Sequence, residues 1–192
     1  MIQSIQSITL PEGTFNVNCD SFIDDDLVIL RQIYADWRDL STKLNSLNAR
    51  SVNLPEGLSE VAFCYFMNCV RLNNPKIGKN VNTSFDAYSL NTQKRIQVKA
   101  CSVLPDLTSF GPKSQWDELY FVDFFKEGNW DFTFDIYLIP TDLIYNQKVN
   151  ANQTMRDVQA LGKRPRFSIY DSIILKNNLQ PVKTCNLNEI RI

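Results

Sequence analysis

The alternation of polar and apolar residues between positions 82 and 100 predicts two short strands joined by a polar turn. A period of two places Arg95, Gln97 and Lys99 on one face of the second strand, with apolar residues on the other face. Asp86 lies on the first strand, so the pattern holds an acid, an amide and an amine on neighbouring strands, where the sheet fixes their geometry. Such an arrangement suits a hard metal ion and an activated water.

Two helices are predicted before this hairpin. Apolar residues at a 3-4 spacing predict the first over 24–50, with three aspartates at its N-terminal end, where the helix dipole favours negative charge. Its apolar stripe consists of Leu30, Ile33, Trp37, Leu40, Leu44 and Leu47. The stripe is expected to pack on the domain's own core, and the alternative is that this helix also packs against a second copy of the protein. The stretch 53–60 introduces a mostly apolar second helix, with Pro55 or Ser59 near its start, that is expected to run to about residue 72. Glu56 and Glu60 lie on one face if the helix begins early enough, and the polar stretch at 73–76 is expected to end it.

The second half of the chain predicts further strands. Segments 118–126 and 131–140 are almost continuously apolar, which is typical of central strands in a sheet covered on both sides. A polar, partly helical segment is expected over 150–160, followed by a short strand or helix over 167–175. This order of elements predicts an α/β fold with a single mixed central sheet flanked by helices, in one domain over 1–192.

Composition limits the chemistry that the chain can carry. No histidine is present, which excludes Ser-His-Asp and Cys-His catalysis and the nuclease classes that need a catalytic histidine. The five cysteines form no CxxC pair, so reduced thiols in a bacterial-type cytoplasmic protein are expected rather than zinc ligands or disulfides. No apolar run approaches the roughly 20 residues of a membrane span, and no secretory signal is indicated.

Charge is segregated along the chain although its net value is −1. Residues 61–115 carry 7 basic and 2 acidic side chains, a net charge of +5, and residues 148–192 carry 8 and 3, again +5. Two basic regions therefore flank an acidic middle. This pattern is consistent with a polyanionic partner such as DNA, and the alternative is an ordinary surface of hydrated lysines and arginines.

The segment 148–175 is the predicted DNA-recognition element. Pro165 keeps its basic part extended or turned and exposed. An arginine fork can donate two hydrogen bonds to guanine or to a phosphate, and side-chain amides can contact adenine edges. The candidate DNA contacts are Asn152, Gln153, Arg156, Lys163, Arg164 and Arg166, with Lys113 in the glycine-proline loop after the second hairpin strand.

Metal-assisted hydrolysis is the chemistry that the hairpin residues favour. Magnesium prefers about six oxygen ligands and needs only one or two protein carboxylates. Asp86 supplies one carboxylate, and the Gln97 side-chain oxygen and the Val98 carbonyl are further candidate ligands. Lys99 could orient or activate a water and offset charge on a phosphate. Glu60, or alternatively Glu56, could reach the same site from the second helix.

The order of these elements resembles the core of the PD-(D/E)xK nuclease superfamily. Glu60 corresponds to the acid on the first helix, Asp86 to the central aspartate, and Gln97-Val98-Lys99 to the (D/E)xK part. Two departures are present, because Phe85 stands where a proline is usual and Gln97 replaces the usual acid.

A finer resemblance, over roughly 54–175, is to small type II restriction endonucleases, on segments 109–123 and 162–169. It implies a restriction-endonuclease-like fold and a type II nuclease of a restriction-modification system. Such an enzyme cleaves double-stranded DNA at specific sequences by phosphodiester hydrolysis, with Mg²⁺ as cofactor and Mn²⁺ as a substitute. A homodimer is expected because short recognition sequences are usually palindromic, with the 24–50 helix as a candidate interface. The alternatives are a junction or repair nuclease of the same fold, a non-catalytic DNA-binding module, and an unrelated α/β domain.

Overall fold

An N-terminal β-hairpin opens the chain in the computed structural model, which describes residues 1–73, 77 and 81–191. Strand β1 (Ile2–Leu10) pairs antiparallel with β2 (Gly13–Ser21), and β2 pairs with the short β3 (Arg71–Leu72). Sequence analysis missed this hairpin. Seven of the nine residues of β1 are serine, glutamine or isoleucine, of which one, Ile8, is buried, and a clear alternation of buried and exposed residues begins only near the end of the strand.

The two predicted helices are present with earlier ends. Helix α1 (Asp24–Ser46) begins with the three aspartates, and the Asp26 carboxylate accepts a hydrogen bond of 2.9 Å from the Ile23 amide. Helix α2 (Glu56–Met67) ends at Asn68, whose left-handed backbone (φ 53°) turns the chain toward β3. The predicted extension to residue 72 is therefore wrong. Within the predicted break at 73–76, residues 74–76 lie outside the described residues.

The apolar stripe predicted for α1 is only partly correct. The helix buries Leu27, Leu30, Tyr34, Trp37 and Ser41 on its inner face. Three members of the predicted stripe are exposed instead, namely Ile33, Leu40 and Leu47. A second apolar face therefore points away from the core, because the helix carries more apolar residues than one buried stripe needs.

The remaining elements complete a mixed α/β fold. The strands are β4 (Ala87–Ser89), β5 (Lys94–Cys101), β6 (Thr108–Ser109), β7 (Glu118–Asp123), β8 (Thr133–Ile139), β9 (Arg166–Phe167) and β10 (Lys183–Asn186), and the helices are α3 (Thr141–Asn146) and α4 (Met155–Ala160). A π-helical turn spans Tyr170–Leu175. The central sheet has the order β10-β8-β7-β5-β4, in which only β5 and β7 are parallel. The predicted mixed central sheet is confirmed, with the apolar β7 at its middle.

The sheet separates two main apolar clusters. On one side Ile96 and Val98 of β5 pack with α1 and α2. On the other side Cys101 packs with Phe110, Trp116 and residues of the C-terminal segments. Successive side chains of β5 thus pack into two cores on opposite sides of the sheet, as the period of two predicts.

A third cluster joins the N-terminal hairpin to β4, where the Tyr88 hydroxyl donates to the Thr9 carbonyl at 2.9 Å and accepts from the Thr9 amide at 3.0 Å. The N-terminal hairpin therefore supports the edge strand of the central sheet. Among the described residues, no helix combines the length and apolar character needed to cross a membrane.

Candidate active site

Asp86 is held at the start of the β4–β5 hairpin, one residue before β4. Its backbone amide donates to the Ile96 carbonyl at 2.9 Å, so the hairpin pairing extends to this residue. Its carboxylate accepts hydrogen bonds from the Val98 amide at 2.8 Å and from the Gln97 side-chain amide. Gln97 is 3% exposed and therefore nearly enclosed. These contacts fix the aspartate against the second strand, as the hairpin prediction requires.

A cavity of about 200 Å³ brings the catalytic candidates together. Both helix glutamates, Asp86 and residues of β5 line it, and the full set is Leu54, Glu56, Ser59, Glu60, Asp86, Val98, Lys99 and Ala100. Gln97 is not part of this lining and contacts the cavity through Asp86. Glu56 and Glu60 lie one turn apart on α2, and Glu56 is exposed whereas Glu60 is half-buried. Segments far apart in sequence thus converge on one small polar space.

The surroundings of Glu60 and Asp86 destabilise the ionised forms of both carboxyl groups. Burial, and to a smaller extent the negative charge of Asp86, raise the pKa of Glu60 to about 7 against the opposing charge of Arg71. The pKa of Asp86 is also raised by burial, although the Val98 amide and the Lys99 charge oppose this shift. Arg71 lies with its Nε 3.8 Å from a Glu60 carboxylate oxygen. A site that strains two carboxylates in this way favours a bound cation.

The donor set fits a hard divalent ion. Asp86 and Glu60 offer carboxylate oxygens and Val98 a backbone carbonyl, and Mg²⁺ needs only one or two carboxylates because waters complete its shell. Within residues 1–73, 77 and 81–191 there is no cluster of three or more histidine, cysteine or acidic side chains arranged to hold a metal. The Gln97 amide nitrogen is engaged with Asp86, which makes this residue a hydrogen-bond donor to the aspartate in this arrangement.

Lys99 connects the cavity to the predicted recognition segment. Its Nζ lies 5.9 Å from the centre of the Phe110 ring, and that ring stacks on Phe167 of β9 at 5.5 Å. Strand β9 pairs with β6, and the Phe110 amide donates to the Pro165 carbonyl at 3.1 Å. The basic segment is therefore fixed to the chain that follows the β5 strand.

Asp106 reinforces this connection. Its carboxylate accepts hydrogen bonds from the hydroxyls of Thr108 and Ser168, at 2.7 and 2.6 Å. It also accepts from the backbone amides of Ile169 and Tyr170, both at 3.0 Å. With 5% exposure, this aspartate is a buried anchor between the β5–β6 connection and the start of the π-helical turn. Sequence analysis did not identify it, because a single aspartate in a loop carries no signal of its later partners.

Most of the predicted DNA contacts lie on the protein surface. Lys113, Asn152, Arg156, Lys163, Arg164 and Arg166 are exposed, and Gln153 is half-buried. Gln153 accepts from the Asn150 side-chain amide at 3.0 Å, and Gln159 of α4 donates to the Gly111 carbonyl at 2.8 Å. The loop around Lys113 is joined to Asn82, whose side-chain amide donates to the Lys113 carbonyl at 3.1 Å. None of these side chains lines the cavity formed by Glu60, Asp86 and Lys99.

Arg71 is a site residue that sequence analysis missed. It lies on β3, just after α2, and pairs with Glu60 across the edge of the cavity. The only signal in the sequence is a basic residue soon after an acid-bearing helix, which is too common to be informative.

Comparison with known proteins identifies the family. A family model described as Bsp6I restriction endonuclease matches residues 22–176, a range that contains every predicted site residue. Type II restriction enzyme Bsp6I from Bacillus sp. (strain RFL6) is 33% identical over 161 residues, which cover 81% of this chain and 85% of that relative. No solved structure matches the chain significantly. The predicted type II restriction endonuclease is thereby confirmed, and the chain belongs to the Bsp6I restriction endonuclease family.

Proposed function

We propose that this restriction endonuclease cleaves double-stranded DNA through a magnesium-dependent active site of the PD-(D/E)xK type, at the cavity between α2 and the β4–β5 hairpin. The observation that carries the proposal is the convergence of Asp86, Glu60 and Lys99 on one cavity of about 200 Å³. Two carboxylates and an amine beside each other provide for a cation, an attacking water and a phosphate.

Asp86 and Glu60 are the proposed carboxylate ligands, and the Val98 carbonyl completes the protein's share of the shell. When bound, Mg²⁺ would polarise the scissile phosphate and lower the pKa of a bound water. The raised pKa of Glu60 means that this side chain must lose its proton to bind the metal near neutral pH. The positive charge of Arg71 opposes the rise in the pKa of Glu60. Because Arg71 also contacts the Glu60 carboxylate, its proposed role is to position Glu60.

Lys99 and Gln97 have different proposed roles. Lys99 lines the cavity and would orient the attacking water and offset charge on the phosphate in the transition state. Gln97 holds the Asp86 carboxylate through its amide, so it takes the place of the usual acid as a neutral partner of the central aspartate. Its side-chain oxygen remains a candidate metal ligand.

The proposed DNA-reading surface is the C-terminal segment 148–175 together with the loop that contains Lys113. Lys163, Arg164 and Arg166 flank the buried Pro165 and are exposed. Their exposed cationic groups are suited to contact phosphates or guanine edges. Asn152, Gln153 and Arg156 would contribute amide and guanidinium contacts beside them. The Phe110–Phe167 stack supports this assignment, because it joins the basic segment to Lys99.

A homodimer is proposed because a two-fold symmetric enzyme matches a palindromic site. The outer face of α1 is the candidate interface. Ile29, Ile33, Leu40 and Leu47 are exposed, at 58, 38, 48 and 76%, and their spacing of 4, 7 and 7 residues places them along one side of the helix. An intracellular, reducing location is also proposed, and the five buried free cysteines are consistent with it.

The test is cleavage of plasmid DNA in Mg²⁺ by purified protein, with Asp86→Ala and Lys99→Met as active-site variants. Matched controls are Asp142→Ala and Lys176→Gln, which remove a carboxylate and an amine from exposed positions. Discrete fragments from the wild type and the controls, lost in both active-site variants, would support the proposal. Preference for branched or mismatched DNA would favour a junction or repair nuclease, and cutting by all variants would reject the site.

A further inference from the structure

Two further cavities lie next to the catalytic cavity, each sharing lining residues with the one before it, and the three together are called the groove below. An adjoining cavity of about 370 Å³ shares Leu54, Lys99 and Ala100 with the catalytic one. A further cavity of about 420 Å³ shares Asn53, Ser102 and Val103 with the second. These three spaces together extend from the catalytic residues to the end of α1 and the loop before β8.

The far end of this groove is basic and aromatic. Arg38 lies over Trp130, with 3.4 Å between the guanidinium carbon and the ring centre, and 5.0 Å from the Trp37 ring. Arg50 is exposed and lines the same cavity. The rest of its lining is aromatic, apolar, serine or asparagine, and no acidic residue of the described chain belongs to it.

The positive charge of Arg38 has no acidic partner among the described residues. Its Nε is buried and finds no hydrogen-bond partner, and none of the ion pairs within 4.0 Å in the described parts of the chain involves it. The close contact with the Trp130 ring restricts the guanidinium, which reduces the entropy that is lost when it binds an anion. A partly buried cation without a carboxylate is typical of a site whose anion comes from a ligand.

We propose that Arg38 and Arg50 bind a backbone phosphate of the DNA strand that enters the catalytic cavity, at a distance from the scissile bond. The inference rests on the proposed function, because it assumes that the DNA strand is cleaved beside Lys99 and continues from there along the groove. The succession of adjoining cavities from the catalytic residues favours a phosphodiester chain over a free anion, and the hydroxyl and amide groups of Ser51, Asn53 and Ser102 suit the same ligand.

Arg50→Gln and Arg38→Met test the proposal. Arg50 is exposed, so its change leaves the fold intact, and methionine at 38 keeps an apolar side chain against Trp130. Lys176→Gln is the control, because this exposed lysine lines none of the three cavities. Binding in EDTA to a long duplex that carries a mapped cleavage site is measured by fluorescence anisotropy over a range of salt concentrations.

Each lost phosphate contact is expected to reduce the slope of log K against log salt by about 0.9. We therefore expect reduced slopes for both arginine variants and the wild-type slope for Lys176→Gln. Unchanged slopes in both variants would overturn the proposal, and if thermal melting shows that Arg38→Met is unfolded, Arg50→Gln alone decides. If the slopes are unchanged while inorganic phosphate raises the Tm of the wild type but not of Arg50→Gln, the site takes a free anion instead. Failure of the proposed function is distinguishable, since the wild type would then leave plasmid DNA uncut in Mg²⁺.

Discussion

Replacing Glu60 by glutamine is expected to stabilise the metal-free protein while it removes cleavage. Burial raises the pKa of Glu60 from 4.5 to about 7 in the folded chain, so the folded state disfavours the carboxylate. Folding stability therefore falls as the pH rises from 4.5 to about 7, and the full cost is present above that range. A glutamine keeps the shape of the side chain and has no proton to lose.

The size of the effect follows from the same pKa values. The difference between 4.5 and about 7 corresponds, at about 1.4 kcal/mol per pH unit, to a cost of about 3 kcal/mol. The Glu60 side chain is 16% exposed, so solvent screening reduces this value only moderately. Arg71 is 36% exposed and can be hydrated when its partner becomes neutral. We therefore expect Glu60→Gln to be more stable than the wild type by about 2 to 3 kcal/mol above pH 7.

Urea unfolding in EDTA, at one pH below 4.5 and one well above 7, measures this difference. The advantage of Glu60→Gln should be large at the higher pH and vanish at the lower one. Glu56→Gln is the matched control, because it removes the same charge from an exposed position one turn earlier on α2, and it should change stability by about 0.5 kcal/mol or less. A glutamine variant that is less stable than the wild type above pH 7 would refute the reasoning.

Three further predictions follow from the structure. The rate of cleavage should increase with pH through about 7 as Glu60 loses its proton. The midpoint of the pH–rate profile should move to lower pH as the Mg²⁺ concentration is increased, because the metal competes with the proton. A midpoint that does not depend on Mg²⁺ would argue against Glu60 as a ligand. Asp106→Ala should lower the free energy of unfolding by about 3 kcal/mol or more, because four hydrogen-bond donors lose a buried acceptor. Thermal or urea unfolding measures this change, and a variant as stable as the wild type would contradict the prediction. Leu40→Glu on the outer face of α1 should convert a dimer to a monomer in sedimentation experiments, whereas Thr42→Glu should not, and an unchanged dimer would exclude this interface.

The β4–β5 hairpin could be predicted from the sequence because the residues that determine it are close together in the chain. A period of two and a polar turn define β4 and β5, and Asp86 and Lys99 follow from the same short segment. The approach of Glu60 could be expected only through a resemblance, because nothing local says which face of α2 meets the hairpin. The mixed sheet could likewise be predicted, since long apolar runs such as those of β7 and β8 must be covered on both sides.

Other features depend on contacts between distant segments and could not be predicted. The N-terminal hairpin is mostly polar and packs through a few residues, such as Ile8 and Tyr88, that meet only in the folded chain. The apolar stripe of α1 was wrong in part because Ile33 and Leu40 satisfy the same spacing as buried residues. The cavity around Arg38 requires Trp130 from a loop far along the chain, so no spacing in the sequence indicates it.

The Asp106 anchor has a consequence for redesign of target specificity. Because one carboxylate holds Thr108 of β6 and Ser168 next to β9, the two stretches form a single module although about sixty positions separate them in the chain. A graft that transplants only 163–170 from a relative would replace Ser168 and the β9 residues but keep the recipient's Asp106 and β6. Exchange of both stretches together would keep the carboxylate, its donors and the β6–β9 pairing in register, and with them the alignment between the proposed DNA-reading segment and the proposed active site.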